Sequence, residues 1–594
     1  MKIVFTFFIC LIPVFLLSTV IQIPNHYTTI QEGIDVSVEG DTVLVLPGIY
    51  YENIDYNGKN ITVASAYLIT QDSTWIPLTI IDGSQPSDPD HTSVVYFRNE
   101  EDSTASLIGF TITNGSGTSI AGPHGYFYVG GGIYVNNSSP RIANVNIVDN
   151  SAYVGGGIYL EQSSPILHNL LIENNNGEGI YCFHNTSIII GYSTIRSNSD
   201  SGIYCSSLSS LYLDHVKISN NSNSGIKFLG SFLNMKNVTL CQNTTNTEGG
   251  GIYCDTCLDS SPIIENCIIA LNQAADGGGG ALFHHCSPII VNTKIIQNFA
   301  TGWGGGISAN EYSDITLKNV LIAGNSATDG AGIYCDASNP TLINVTFSEN
   351  STYPEGNVIF CRDGSNTMLK NCILWNNLSN EIAFCPDNSE NTIEISYSDI
   401  QGGEEWIETN DNGTVYWLDG NLAENPLFLE SEDNPFSLQD LSPCVNIGIP
   451  DTTGLNLPEL DLAGDPRVYG GRIDMGAYEN QNVVVNVNEN IIPSVTILHQ
   501  NYPNPFNPAA AGVGRSSSTV IGYQLSEINE VSLKIYNIKG QIIKTLVNDT
   551  KSADKHSVIW DGRDDKNRPV PSGIYLYILS TKDDLKIRKM VLLR

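Results

Sequence analysis

Asp255, His284, Asp336 and Arg362 are the side chains best placed by type and spacing to do chemistry, because they recur at one equivalent position of a repeated stretch. Carboxylates and imidazoles pass protons, and a guanidinium fixes an anion. Cleavage of a glycosidic bond needs two carboxyl groups roughly 5–9.5 Å apart. Asp255 and Asp336 lie three repeats apart, which strand stacking converts to roughly 14 Å. Both cannot reach one bond, and Asp336 with Arg362, one repeat on, is expected to form an ion pair. No catalytic residue is assigned, and these four stand only as weak candidates.

A second set lies two residues earlier in the repeat: Tyr134, Tyr159, Tyr181, Tyr204, Tyr253 and Tyr334, with Lys227, Leu282, Ser308 and Phe360 at the same position elsewhere. Tyrosine rings offer flat apolar area and a hydroxyl, which suits sugars. Two readings follow. The stripe binds a ligand, or its rings stack on one another and stiffen a sheet. Tyr126 and Tyr128, in an inserted stretch GSGTSIAGPHGYFYV, belong either to a ligand lid or to a cover for that sheet.

The elements that must position these residues are set by the repeat. GGGIYVNNSSPRIANVNIVDN at 130–150 recurs with variation, as GGGIYL (155–160), GEGIYC (177–182), GGGIYC (249–254) and GAGIYC (330–335). Each copy closes on an asparagine: Asn150, Asn175, Asn198, Asn221, Asn243, Asn272, Asn298, Asn325, Asn350 and Asn377. The period is about 25 residues, which marks a solenoid. Short Ile-, Val- and Tyr-rich runs broken by Gly, Asn and Ser-Pro predict three strands and three turns per coil. The fold class is therefore all-β, a right-handed parallel β-helix. Strand alternation points the columns Ile133–Ile359 and Val135–Cys361 inward and the tyrosine column outward. The asparagines are expected to turn inward and bond from coil to coil as a structural ladder.

The pairing of glycine-led GGGI or GGGA with I-x-x-N or F-x-x-N (FSEN at 347–350) resembles the repeats of chlamydial polymorphic membrane proteins. More broadly the chain resembles the pectin-lyase-like superfamily, which hosts polysaccharide lyases and hydrolases. The polygalacturonase elements (Asn-Thr-Asp, Asp-Asp, Gly-His-Gly, Arg-Ile-Lys) are missing from the repeats, as is a lyase-like aspartate cluster for calcium. IPNHYTTIQEGIDVSVEGDTVLVLPGIYYENI similarly resembles that superfamily's entry module, which implies a capping helix at TIQEGID.

Residues 1–20 read as a secretory signal peptide, one lysine followed by a short apolar run. No other stretch is long and apolar enough to span a bilayer. With 62 acidic and 28 basic residues, a formal charge of −34, nucleic acid is not an expected partner. Many of the 13 cysteines occupy inward repeat positions, among them Cys182, Cys205, Cys335 and Cys361, with Cys385 expected to continue the column. They read as small hydrophobes; disulfides are compatible with export, but spacing does not assign them. C-D-T-C at 254–257 lacks a second pair, so no metal and no cofactor are expected.

The β-helix is expected over 21–415, with an irregular closing segment over 416–480 and a linker over 481–494. NPLF, LSPCVNIG and DMGAYE in the closing segment resemble the ends of bacterial surface β-helix proteins, which makes Asp474 and Glu479 turn and cap residues. Residues 495–594 carry 14 basic and 9 acidic side chains and read as a separate β-sandwich. NYPNPFNP, VSLKIYNIKGQIIKTL and the KMVLLR end resemble type IX secretion C-terminal sorting domains and the Ig-like domain of flagellar hook-capping proteins. That resemblance implies an outer-membrane translocon as a partner and a secreted or outer-surface location in a Gram-negative bacterium. The whole reads as a glycan-binding, adhesin-type passenger whose partner is a polysaccharide or surface glycan. A polysaccharide lyase or glycoside hydrolase, and a structural surface-layer protein, are the alternatives.

Overall fold

The computed structural model describes residues 18–482 and 496–593, apart from 123–124, 258–260, 354–355, 387–388, 430, 432, 502–503, 505, 507–517, 528, 554 and 583. Most of the expected signal peptide, most of the linker and most of the insert at 509–518 lie outside the described residues. The chain divides into two compact units, Met1–Val483 and Val484–Arg594. Among the described residues no helix is long and apolar enough to cross a membrane.

The first unit is a parallel β-solenoid with three main faces per coil, joined between Thr244 and Thr352 by a five-stranded parallel sheet of two-residue strands. In one coil the strand Ile133–Asn136 lies on the first face, Arg141–Ala143 on the second and Asn146–Val148 on the third. Single left-handed residues turn the corners, with φ of +50° at Asn137, +57° at Asn144 and +56° at Asp149. Asparagine and aspartate tolerate that conformation better than other side chains with a Cβ. The first face is a 13-stranded parallel sheet in which Ile133 pairs with Ile158, then Ile180, Ile203, Ile226, Ile252, Ala281, Ile307, Ile333 and Ile359. That column and the Val135–Cys361 column are buried throughout. Cys385 departs from expectation, because Phe384 pairs with Cys361 and takes the inward place.

The leading glycines are needed because coils approach backbone to backbone. Gly155 has φ +62°, and a Cβ on Gly157 would stand 2.3 Å from the carbonyl oxygen of Gly179 in the next coil. Below them runs the asparagine ladder. Asn150 donates its amide to Asn175 Oδ1 at 3.1 Å, and its backbone N–H donates to the same oxygen at 3.0 Å. The pattern passes through Asn198, Asn221, Asn243, Asn272, Asn298, Asn325 and Asn350 to Asn377. The Asn377 amide then donates to the buried Glu381 carboxyl at 2.7 Å.

A second amide ladder occupies the corner between the second and third faces. There Asn319 donates to Asn292, Asn344 to Asn319 and Asn371 to Asn344, each at 3.0 Å. At the Ser-Pro corner a row of serines accepts backbone N–H groups from the coil before, as Ser338 does from Ser313. Cys257 and Cys286 occupy two adjacent places of this row and form a disulfide. At the open end the helix Ile30–Val36 starts in a Thr29/Glu32 capping box. Glu52 accepts the N–H groups of Ile30 and Gln31, both at 2.9 Å, and Ile30 and Ile34 plug the core.

The closing segment folds around a buried charge cluster. Arg467 sits 3.7 Å from Glu479, with both side chains essentially inaccessible, and it donates to the carbonyls of Asp474 and Gly476. Asp474 accepts the N–H groups of Asn446 and Asn480, each at 2.6 Å. Burial raises the Glu479 carboxyl to about 8, against the pull of Arg467.

The second unit holds antiparallel sheets of three and four strands. Its core joins Phe506, Trp560 and Tyr575, whose rings meet edge to face. Asp561 accepts the Arg563 N–H and Gly562 has φ +69°, so this Asp-Gly pair shapes a turn.

Candidate functional site

The tyrosine row runs along the outer side of the first face, as strand alternation requires, and it starts one coil earlier than the sequence reading placed it, at Tyr96. Tyr134 and Tyr159 stack at 5.7 Å with planes 4° apart, Tyr159 and Tyr181 at 5.8 Å and 6°, and Tyr181 and Tyr204 at 4.8 Å. The N-terminal part of the row is covered. The inserted stretch is a hairpin, Gly117–Gly122 with Gly125–Val129, and its Ile120 and Phe127 pack on Tyr96, Tyr134 and Tyr159. Tyr159 is left 3% exposed, whereas Tyr126 on the hairpin is 80% exposed and Tyr128 41%. Tyr334, further along, is also buried, between Trp303 and Phe360. Burial raises its phenol to about 12.

Tyr181, Tyr204, Lys227 and Tyr253 remain half-buried in the middle of the row. The Lys227 ammonium lies 5.7 Å from the centre of the Tyr204 ring and 5.4 Å from that of Tyr253, a cation held between two π faces. Glu178, its carboxyl raised by burial, borders this stretch and raises the phenols of Tyr181 and Tyr204, whose main perturbation is burial.

Two residues on, the row holding the four polar candidates separates them. Asp255 pairs in register with His284, His284 with Asn310, Asn310 with Asp336 and Asp336 with Arg362. Asp255 and Asp336 therefore do not share a site. Arg362 lies 3.6 Å from Asp336 and donates to the Tyr334 hydroxyl at 3.1 Å. Asp336 is raised chiefly by burial, opposed by Arg362. His284 Nδ1 meets Asp255 Oδ1 at 2.9 Å. Burial disfavours the imidazolium, but Asp255 and then Glu311 outweigh it and raise the His284 pKa.

Glu311 and His285 escaped the sequence reading. They stand one residue beyond the row of Asp255, His284, Asp336 and Arg362, in the adjoining corner column, so the residue after that row is where the sequence carries them. The buried thiol of Cys254, an inward residue, lies 3.2 Å from Cys257 Sγ and 3.5 Å from Cys286 Sγ. A separate open groove of about 730 Å³ runs between the third face and the closing segment, lined by Leu321, Glu349, Leu427, Phe428, Phe436 and Gln439.

The family model described as "Right handed beta helix region" matches in overlapping stretches, 93–244, 157–303, 216–353 and 290–425. The model of the FlgD Ig-like domain matches 509–584. No curated protein matches. Among solved structures, the A-module of the mannuronan C-5 epimerase AlgE4 from Azotobacter vinelandii is 12% identical over 67% of this chain and 95% of its own, with a TM-score of 0.32. The receptor-binding tailspike of bacteriophage Det7 is 10% identical over 96% and 98%, with a TM-score of 0.34. PorZ, a surface component of the type IX secretion system of Porphyromonas gingivalis, is 20% identical over 16% of this chain, with a TM-score of 0.12, and the match spans 11% of PorZ.

Proposed function

The chain belongs to the family of right-handed β-helix regions, and we propose that it is an exported bacterial surface or secreted protein that binds a glycan on its first face. The observation carrying this reading is the uncovered stretch Tyr181–Tyr204–Lys227–Tyr253, where half-buried rings offer flat apolar area beside phenolic hydroxyls and a fixed ammonium. Pyranose faces stack on such rings while their hydroxyls find polar partners. The hairpin over Tyr134 and Tyr159 forms a wall at one end of that platform, its packing on the row supporting the reading of a cover. Residues 495–594 act as the export address read by an outer-membrane translocon, a role supported by their resemblance to sorting domains.

Retention of the mature chain on a panel of acidic and neutral polysaccharides tests the binding reading. It stands if one polymer retains the chain and Tyr181→Ala with Tyr204→Ala abolishes retention. It falls if no polymer retains the chain, or if retention is indifferent to that pair. Release of reducing ends or of an unsaturated product would replace it with an enzymatic reading. Deleting 495–594 tests export, and surface appearance of the truncated chain would remove the address role.

A further inference from the structure

Two imidazoles and a carboxylate converge where the first face turns into the Ser-Pro corner. His284 Nε2 lies 3.3 Å and His285 Nε2 3.2 Å from the same atom, Glu311 Oε2. The donor atoms of the three residues all lie within 4.8 Å of one another. The hydrogen bond from His284 Nδ1 to Asp255 places the proton of a neutral imidazole on Nδ1. Its Nε2 lone pair then faces a carboxylate oxygen that also carries only lone pairs. Either a second proton on Nε2 or a metal cation between them removes that conflict. Tetrahedral sites with bonds of roughly 2.0–2.1 Å hold their donor atoms about 3.3 Å apart, the spacing that each imidazole here keeps from the Glu311 oxygen.

We propose that His284, His285 and Glu311 bind a divalent transition metal of the zinc class, with Asp255 as the positioning residue that orients His284. Imidazole donors select zinc, copper or nickel over calcium and magnesium, which prefer oxygen. Three protein ligands leave a fourth position, and it opens to solvent, because the His285 and Glu311 side chains are 41% and 59% exposed. A water or an oxygen donor from a bound ligand completes the site. The carboxylate on Nδ1 is the usual outer support of a metal-bound histidine. Cys257 and Cys286 do not compete, since they are joined in a disulfide, and the remaining thiol, Cys254, is buried in the core. The unmatched C-D-T-C pair predicts no metal; this site is built instead by stacking, its ligands from two successive coils and its support, Asp255, from the coil before them.

Isothermal titration of Zn²⁺ into the mature, oxidised chain carrying no affinity tag tests the assignment, with Co²⁺ absorption as a second readout. His285 has φ +51°, so His285→Asn, which tolerates that backbone, is the variant of choice, alongside Glu311→Gln and Asp255→Asn. The expected result is one equivalent of Zn²⁺ in the wild type, lost in His285→Asn and Glu311→Gln. Asp255→Asn should weaken it about 10- to 100-fold, Cys254→Ser should leave it unchanged, and Co²⁺ should show no thiolate band. A wild type that binds no Zn²⁺ would mean that a doubly protonated His284 bridges the two carboxylates instead, and the proposal would fall. It also falls if binding survives His285→Asn, or if Cys254→Ser abolishes it.

Discussion

Asn243→Ala should be among the most damaging single changes in the solenoid. Asn243 is fully buried, and its side chain makes four bonds. Its oxygen accepts the backbone N–H of Asn221 at 3.1 Å and the Asn221 amide at 2.9 Å. Its amide donates to Ile218 O at 3.2 Å and to Asn272 Oδ1 at 3.0 Å. Removing it strips the Asn221 N–H of its partner and leaves one Asn221 amide hydrogen unpaired, while the other keeps a long bond to Ile195 O. The Asn272 oxygen loses less, because the backbone N–H of residue 243 still reaches it. Two buried donors left bare cost about 1–3 kcal/mol each, so the expected loss is about 2–6 kcal/mol. Urea unfolding measures it, and hydrogen exchange locates it, because a solenoid yields coil by coil and a global midpoint dilutes a local loss. The matched control is Asn169→Gly, at the same corner as the second ladder but outside it. Asn169 is exposed, bonded at 2.6 Å to Asn144, with φ +52°, which glycine adopts without strain. That change should cost no more than about 0.5 kcal/mol. Equal losses for the two variants, or a loss under about 1 kcal/mol for Asn243→Ala, would refute the argument from buried amides.

Burial lifts the Glu381 carboxyl to about 8, its bond from Asn377 only partly offsetting this and Asp399 adding to it. The folded chain thus holds a proton that the unfolded chain loses near pH 4.5, so this group's contribution to stability is complete below that pH and falls as pH rises to about 8, by at most about 5 kcal/mol. Glu381→Gln should flatten that slope in unfolding midpoints taken from pH 5 to 8, and an unchanged slope would count against it. Replacing both Cys257 and Cys286 by serine, the residue other coils use at that corner, should keep the fold at a cost of about 2–4 kcal/mol; loss of native circular dichroism would show that the disulfide does more than staple. Gly157→Ala, whose Cβ meets the Gly179 carbonyl at 2.3 Å, should destabilise by about 1–3 kcal/mol, read by thermal melting.

The solenoid was legible because its period is set by residues with one structural use. Glycine admits the next coil's carbonyl, asparagine carries an amide ladder, and alternation assigns the columns. Covering was not legible. Whether Tyr159 faces solvent depends on where the 117–129 hairpin folds, and its local sequence fits a lid as well as a wall. The second amide ladder announces itself only in phrases such as KNV, INV and KNC, which read as ordinary turns until the first ladder shows what stacked asparagines do. His285 and Glu311 were missed for a geometric reason: a left-handed corner residue belongs to neither the inward nor the outward strand pattern, so a period-two reading skips it. Cys385 misses the column for a different reason, since its coil is one residue too short to bring it round and Phe384 stands there instead.

The asparagine ladder also makes the length of the protein adjustable. Every rung offers a donor to the coil after it and an acceptor to the coil before it, so at the ladder a coil is complementary to any other coil that carries the asparagine. Excising residues 199–221 would set Asn243 directly on Asn198, exchanging one pair of amide bonds for an identical pair and shortening the stack by about 4.8 Å, one strand spacing. Duplicating a coil would lengthen it by the same step. Reach is therefore a quantity that whole-repeat insertion or deletion can tune in units, with the ladder bond the same at every rung.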